Sequence, residues 1–332
     1  MKTCLIGSYP KIPAGSGPSV RRALQQFEKG QIGPRELENV YQAVTETVLH
    51  LAEAAGLDRT TDGLIHWNDE LDAVVRDIDN LNAAGLLRYF NNNFYYRHPI
   101  ISGRLQFQGG VAARWATQAA KVSSVPLVAV LPGPFTLAAL AEDTSYQDFD
   151  TLLADLVEVL RLEADSLATT GVVEVQWNEP ALAVHAARYP VAMVQQALTN
   201  LIADAPLPQS LALYFGHSSP WLDVLSTVPF ARVLADAVSD PSVLQILERD
   251  VMPWSVGVGL IDARNVRMED ADAVVQALEP ILMKQGTDHV WLHPSCGLEF
   301  LPPDRAEQKV RVLTQIANRV RGQAAPSHRK DA

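Results

Sequence analysis

The run VPLVAVL at residues 125–131 is apolar without interruption and stops at Pro132-Gly133-Pro134. A strand with one wet face alternates polar and apolar residues. This run does not, so both of its faces are predicted to be buried. Burial on both faces belongs to a parallel sheet covered by helices, and the Pro-Gly-Pro stop marks the turn that leaves it.

Outward from that run the same unit recurs in both directions. Short apolar strands are predicted at residues 3–6 (TCLI, closed by Gly7-Ser8), 59–62, 172–177 (VVEVQW), 210–215 (SLALYF), 231–236 (ARVLAD), 255–260 (SVGVGL) and 290–293. Amphipathic helices are predicted at 20–29, 34–55, 69–84, 149–169, 191–203, 269–284 and 305–321. Residues 87–104 (LLRYFNNNFYYRHPIISG) break the pattern as an irregular aromatic insertion, a lid over one end of the fold or a contact with a second copy. Seven or eight strand–helix units predict an α/β fold, either a (β/α)8 TIM barrel or an open doubly wound sheet. No composition break divides the chain, so residues 1–322 are expected to form one domain, with 323–332 a disordered tail.

Composition narrows the function classes. The chain has 332 residues, of which 48% are hydrophobic and 20% charged, and a net charge of −11. Without a basic stripe to neutralise phosphates, a nucleic-acid partner is not expected. No apolar run approaches the ~18 residues that span a bilayer, and the N-terminus does not read as a signal peptide. Two cysteines, Cys4 and Cys296, are too few for a disulfide framework, which fits a reducing cytoplasm.

In a barrel, functional groups collect where the strands end at their C-terminal side. Those ends hold Gly7-Ser8-Tyr9-Pro10, Asp62-Gly63, Pro132–Thr136, Asn178-Glu179-Pro180-Ala181, Gly216-His217, Asp236, Asp262 and His293–Gly297. One polar strand end is only a loop; a ring of them points to a mouth that binds something. Trp67, Trp177 and Trp221 also follow strand ends, either as a stacking platform or as rim packing. His66 reads as a solvated histidine, and the direction of His293 is open. Gly257-Val258-Gly259 lacks the spacing of a phosphate loop.

Five of these segments occur in an order that resembles the catalytic half of cobalamin-independent methionine synthase. They are Ile6-Gly7-Ser8-Tyr9-Pro10, Thr61-Asp62-Gly63, Pro132–Thr136, Asn178-Glu179-Pro180-Ala181 and Pro294-Ser295-Cys296-Gly297-Leu298. The family motifs read IGSFP, DGE, TGPxT, DEPA and NPDCGL, and the match spans about residues 4–321. The resemblance implies a barrel that methylates a homocysteine-type thiol held on zinc. Zinc fits such chemistry because a metal-bound thiol is deprotonated at neutral pH and the thiolate is the nucleophile.

Residue by residue, the resemblance carries over unevenly. Cys296 stands at the final cysteine ligand and Asp236 at the glutamate ligand, whereas Ala212 and Tyr214 replace the His-x-Cys pair. His217 is a candidate third ligand beside Cys296 and Asp236, or a plain loop histidine. The two acids that receive the amino group in the family fall on Leu64 and Asn178. Ile6, Gly7 and Ser8, with Asn178 and Glu179, are the candidate substrate contacts; Glu179 and Asp262 are the candidate catalytic acids or bases. Three functions follow: a methionine-synthase-like methyltransferase, a zinc-free descendant that takes another small anionic or neutral ligand, or a non-catalytic partner protein. The implied methyl donor is a folate or a corrinoid, the latter delivered by a methyl-carrier protein.

Overall fold

The computed structural model describes residues 1–11 and 17–324. Its strands are β1 (Lys2–Thr3), β2 (Ile78–Arg88), β3 (Tyr95–Phe107), β4 (Val128–Pro132), β5 (Glu142–Asp143), β6 (Glu174–Asn178), β7 (Gln209–Leu213), β8 (Arg232–Asp236), β9 (Ser255–Ile261) and β10 (Val290–Pro294). Seven of them form a curled, all-parallel sheet in the order β1-β10-β9-β8-β7-β6-β4. Residues of β4, β6, β7, β8 and β10 are almost all buried, which accounts for their unbroken apolar sequence.

Between the two edges of this sheet lies the stretch 59–60. Arg59 N–H donates to the Thr3 carbonyl at 3.1 Å, and Thr60 N–H donates to the Pro126 carbonyl at 3.1 Å. Val128 N–H returns a bond of 2.8 Å to the Thr60 carbonyl. Both edges are therefore hydrogen-bonded to the same two residues.

Alternate residues of β6 and β8 share the inner face of the curl and stack in tiers. Glu174 and Arg232 meet at the N-terminal end; Gln176 and Asn178 follow along β6, and Leu234 and Asp236 along β8. Trp291, from β10, stacks on Arg232 at 4.0 Å. His293 points inward one tier above and fills the space over β9. A Cβ on Gly257 would lie 2.9 Å from His293 Nε2, so the Gly257-Val258-Gly259 run is a packing notch in a strand rather than a ligand loop. His293 Nδ1–H donates to the Pro294 carbonyl at 2.7 Å, and burial pushes the ring down to about 4, so it is neutral.

Most predicted helices are present, such as Pro34–Ala55 and Val191–Ile202. The closing helix, Pro303–Ala324, extends into the expected tail, whose remainder lies outside the described residues. The predicted helix at 69–84 is corrected: a short helix, Asp72–Asp77, gives way to β2, which pairs antiparallel with β3 in a long hairpin. Asn80, Asn82 and Gly85 are poor helix formers, and cross-strand partners replace the lost helical bonds. Asn80 Nδ2 donates to the Arg104 carbonyl at 2.7 Å, and Asn82 Nδ2 to Ser102 Oγ at 3.0 Å. Among the described residues no helix is long and apolar enough to cross a membrane.

Behind the sheet, Asp77 and Glu163 bring two acids into the interior. Asp77 accepts three backbone N–H bonds, of 2.9–3.0 Å, at the start of the helix Val111–Ala120. Glu163 is fully buried, and its carboxyl has no hydrogen-bond partner. Burial, and then the Asp77 charge, push Glu163 up to about 9. Its native pKa is raised above the unfolded value, so this stabilising contribution is complete in acid and fades as pH rises toward 9. Stability measured by urea unfolding is expected to fall by a few kcal/mol between pH 5 and 9. Glu163→Gln should flatten that slope; an unchanged slope would contradict the assignment.

Candidate functional site

The C-terminal strand ends are knitted to one another by main-chain and hydroxyl bonds. Thr61 Oγ1 donates to the Gly7 carbonyl at 2.6 Å, and Leu298 N–H donates to the Ser8 carbonyl at 2.7 Å. Gly7 has φ +114°, a conformation L side chains rarely adopt, which lets the chain turn at this junction. The turn sets Ser8, buried, at the centre of the mouth.

Around Ser8 lies a network that the motif comparison does not reveal. Ser8 Oγ donates to Glu70 Oε1 at 3.1 Å, Asn178 Nδ2 to Glu70 Oε2 at 3.4 Å, and Gln176 Nε2 to Asn178 Oδ1 at 2.8 Å. Glu299 lies against the same group. Burial first, and then the Glu299 charge, push Glu70 up to about 8, while burial also raises Glu299. Lys11 reaches in from the other side, where its ammonium donates to the Trp67 carbonyl and burial lowers its pKa. Glu70, Glu299 and Lys11 line a cavity of about 280 Å³, while Ser8 and Asn178 hold Glu70 without lining it themselves. Neither Glu70 nor Glu299 occupies a family motif position. The signal was the acid-rich Asn68-Asp69-Glu70 that follows Trp67, and Glu299, the acid two residues beyond Gly297.

The aromatic insertion lies over this mouth. From the turn of the β2–β3 hairpin, Tyr89 packs edge-on against Phe215 with centroids 6.1 Å apart. Phe94 packs edge-on against Phe300 at 4.7 Å, and Phe300 meets Phe215 at 5.7 Å. The hairpin therefore spans from the end of β7 to the loop after β10.

The other sequence candidates are placed as follows. Ile6 is buried beneath Ser8. Glu179 is fully buried: Oε1 accepts from Phe135 N–H at 2.9 Å, while Oε2 accepts from Thr136 N–H at 2.8 Å and Thr136 Oγ1 at 2.6 Å. It thus serves the start of the helix Pro134–Leu140, although burial pushes it up to about 7. A Cβ on Gly133 would come within 2.2 Å of Glu179, which explains the Pro-Gly-Pro stop. Asp262 accepts from Arg264 N–H at 2.9 Å and lines a separate groove with Asn265 and Glu269.

The proposed metal ligands do not assemble. Among the described residues no three His, Cys, Asp or Glu side chains converge on a point that fits a metal ion. Asp236 Oδ1 accepts from Val238 N–H at 3.0 Å and Ser239 N–H at 2.9 Å, and Oδ2 from Phe215 N–H at 3.2 Å. His217 is exposed, its main chain held by the Ala183 carbonyl. Cys296 is completely buried, and burial with the neighbouring Asp236 raises its thiol well above the ordinary range. Catalytic zinc takes three protein ligands and an open position, and this donor set does not supply them.

The tryptophans and His66 also resolve. Trp177 donates to Gln209 Oε1 at 2.7 Å and Trp221 to the Leu182 carbonyl at 2.7 Å, both fully covered, and Trp67 packs on Trp115 at 6.1 Å. None forms a ligand platform. His66 is buried rather than solvated, stacked between Tyr41 and Trp115 and 3.2 Å from Glu38. Removing the acid that holds the helix Pro134–Leu140 should be costly: Glu179→Ala is expected to lower unfolding stability by about 2–4 kcal/mol, read in urea. A loss below about 0.5 kcal/mol would show that this acid is not structural.

Residues 60–286 match the family model described as the cobalamin-independent synthase, N-terminal domain. A methionine synthase of Sulfurisphaera tokodaii is 27% identical over 316 residues, covering 93% of this chain and 89% of that protein. A methionine synthase of Saccharolobus islandicus is 25% identical, covering 97% and 95%. Among solved structures, a B12-independent methionine synthase from Shewanella sp. W3-18-1 in complex with selenomethionine superposes with a TM-score of 0.79 at 19% identity, over 97% of this chain and 98% of that one. A methyltransferase from Methanosarcina mazei gives 0.64 at 14% identity, over 96% and 94%.

Proposed function

The chain belongs to the cobalamin-independent synthase family, and from that premise we propose that it is a methyltransferase whose small-molecule substrate sits against Glu70 and Glu299, with Ser8 holding Glu70 in place. The observation that carries this reading is the cavity itself, at the strand ends, with acids from two loops turned into it beneath an aromatic hairpin. The relatives named methionine synthase cover the chain almost end to end, which supports methyl transfer as the reaction class.

Homocysteine methylation on zinc is a different matter. Such a step needs a cation to strip the thiol proton, and Cys296, Asp236 and His217 do not form its site. We therefore assign the chain a zinc-free transfer to or from another small molecule, with a folate or a corrinoid as the further methyl carrier. The acids of the mouth argue against an anionic ligand, because Ser8 already serves the carboxyl of Glu70. The same family supports reading 59–60 as the eighth stave of a closed (β/α)8 barrel, with residues 1–322 as one unit. Two buried free thiols suit a cytoplasmic setting.

Two measurements test the proposal. Protein purified without added metal should hold far less than one zinc per chain, unchanged in Cys296→Ala; stoichiometric zinc lost in that variant would overturn the zinc-free assignment. With labelled methyl-folate or methylcobalamin and a small-molecule cell extract, label should enter a new product, and Glu70→Gln should reduce this at least ~100-fold. No transfer from either donor would overturn the methyltransferase reading.

A further inference from the structure

The cavity that holds Glu70 is walled by an unusual share of aromatic rings. Tyr9, Tyr89 and Tyr96 are buried on its inner side, and Phe94 and Tyr95, more exposed, form its outer rim. The aromatics arrive from three places: the turn after β1, the turn of the hairpin and the start of β3. Ring faces carry negative potential, and a ring of them receives a cation without hydrogen bonds.

The acids of the cavity carry charge that the protein does not balance. Asp69 is committed, since it accepts from Arg97 N–H and Leu71 N–H at 3.0 Å and lies 3.5 Å from Arg97 Nη1. Glu70 and Glu299 remain, and the cation set among them is Lys11, which donates to the Trp67 carbonyl. One negative charge is left over when both glutamates are ionised. In the free protein, burial and mutual repulsion let a proton fill that role on Glu70.

An ordinary primary ammonium demands acceptors arranged around its three N–H groups. Glu70 offers only part of that set, because each of its oxygens already accepts one bond, from Ser8 and from Asn178, and the rest of the cavity wall is largely aromatic. A cation with no N–H at all needs only proximity to the carboxylates and aromatic faces around it. At about 280 Å³ the cavity is of metabolite size, at the small end of ligand sites. We propose that this cavity binds an onium compound, a quaternary ammonium or a sulfonium ion, with its methyl groups against Tyr89, Tyr95 and Tyr96 and its charge facing Glu70 and Glu299. This assignment deepens the reading of the same cavity as the substrate site of a methyltransferase, and it rests on that placement of the substrate.

Binding of the onium ion displaces the proton from Glu70. Choline keeps its charge at every pH, so its affinity should rise from pH 6 to pH 9 as the Glu70–Glu299 pair, flanked by Lys11, Ser8 and Asn178, gives up that proton.

Calorimetric titration of the full chain at pH 8 tests this with four probes: choline, S-methyl-L-methionine, ethanolamine and the neutral carbon isostere of choline, 3,3-dimethylbutan-1-ol. Saturable binding of choline or S-methyl-L-methionine is expected, and which of the two binds more tightly identifies the ammonium or the sulfonium class. The neutral isostere and ethanolamine should each bind at least ~10-fold more weakly than the better onium probe. Glu299→Gln and the exposed-rim variant Tyr95→Leu should each weaken onium binding about 10-fold and leave the isostere unchanged. Equal affinity for the isostere would make the cavity merely apolar, and tighter binding of ethanolamine would make it a plain ammonium site. No saturation by either onium below about 10 mM would also overturn the proposal. None of these outcomes touches the labelled-methyl experiment, so failure of this inference and failure of the methyltransferase reading are distinguishable.

Discussion

Glu174 lies between two guanidinium groups at the floor of the curled sheet, and the placement of everything above depends on that contact. It is paired with Arg232, itself 2% exposed, and with Arg59, while Trp291 offers its face to both arginines at 4.0 and 5.1 Å. Buried ion pairs are costly to dehydrate and contribute little net stability, but losing one partner strands a charge. What the arrangement secures is position. Glu174 comes from β6, Arg232 from β8, Trp291 from β10, and Arg59 from the two residues that bond both sheet edges. A shift of any one of these segments would unpair a buried charge, so the curl of the sheet is fixed from its floor.

The opposite end of the same sheet carries the opposite imbalance. At the floor two guanidiniums flank the one carboxylate of Glu174; at the mouth, Glu70 and Glu299 outnumber Lys11. An interior pays for uncompensated acids with a proton, and raised pKa values set apart sites where a ligand can take that proton's place. The comparison with Glu163 is instructive. It too carries a proton, but it is fully buried against Asp77, and its raised pKa enters the pH dependence of stability.

Much of this was legible in the sequence, for identifiable reasons. The both-faces-buried strands announced a parallel α/β sheet, and the Pro-Gly-Pro and Asn-Glu-Pro-Ala segments marked real strand ends that touch through Glu179 and Thr136. What could not be read were partners brought together only by the fold. Glu70 meets Asn178 across 108 positions and Ser8 across 62, and no local pattern encodes either pair. The helix expected at 69–84 failed because its latter half finds bonds across a hairpin, and those bonds lie outside any local window. The surroundings of His66 and of the three tryptophans are remote in sequence: helices supply those of His66, Trp67 and Trp221, and Gln209 of β7 meets Trp177.

The fate of the metal positions binds these observations together. A zinc ion lowers the pKa of a thiol, whereas burial first and then the neighbouring Asp236 raise that of Cys296, against a smaller opposing effect of Arg264. Asp236 and Cys296 without the remaining ligands therefore leave the thiol protonated. Tyr214, at the position where the resemblance implies a ligand cysteine, is buried and faces the hydroxyl of Tyr89 at the hairpin's turn. A side chain placed where a metal ligand belongs now secures the aromatic cover. Phe215, next to it, takes φ +74° and packs against both Tyr89 and Phe300. The end of β7 thus packs against the hairpin, and the acids that line the cavity beside it, Glu70 and Glu299, come from loops rather than from the strands.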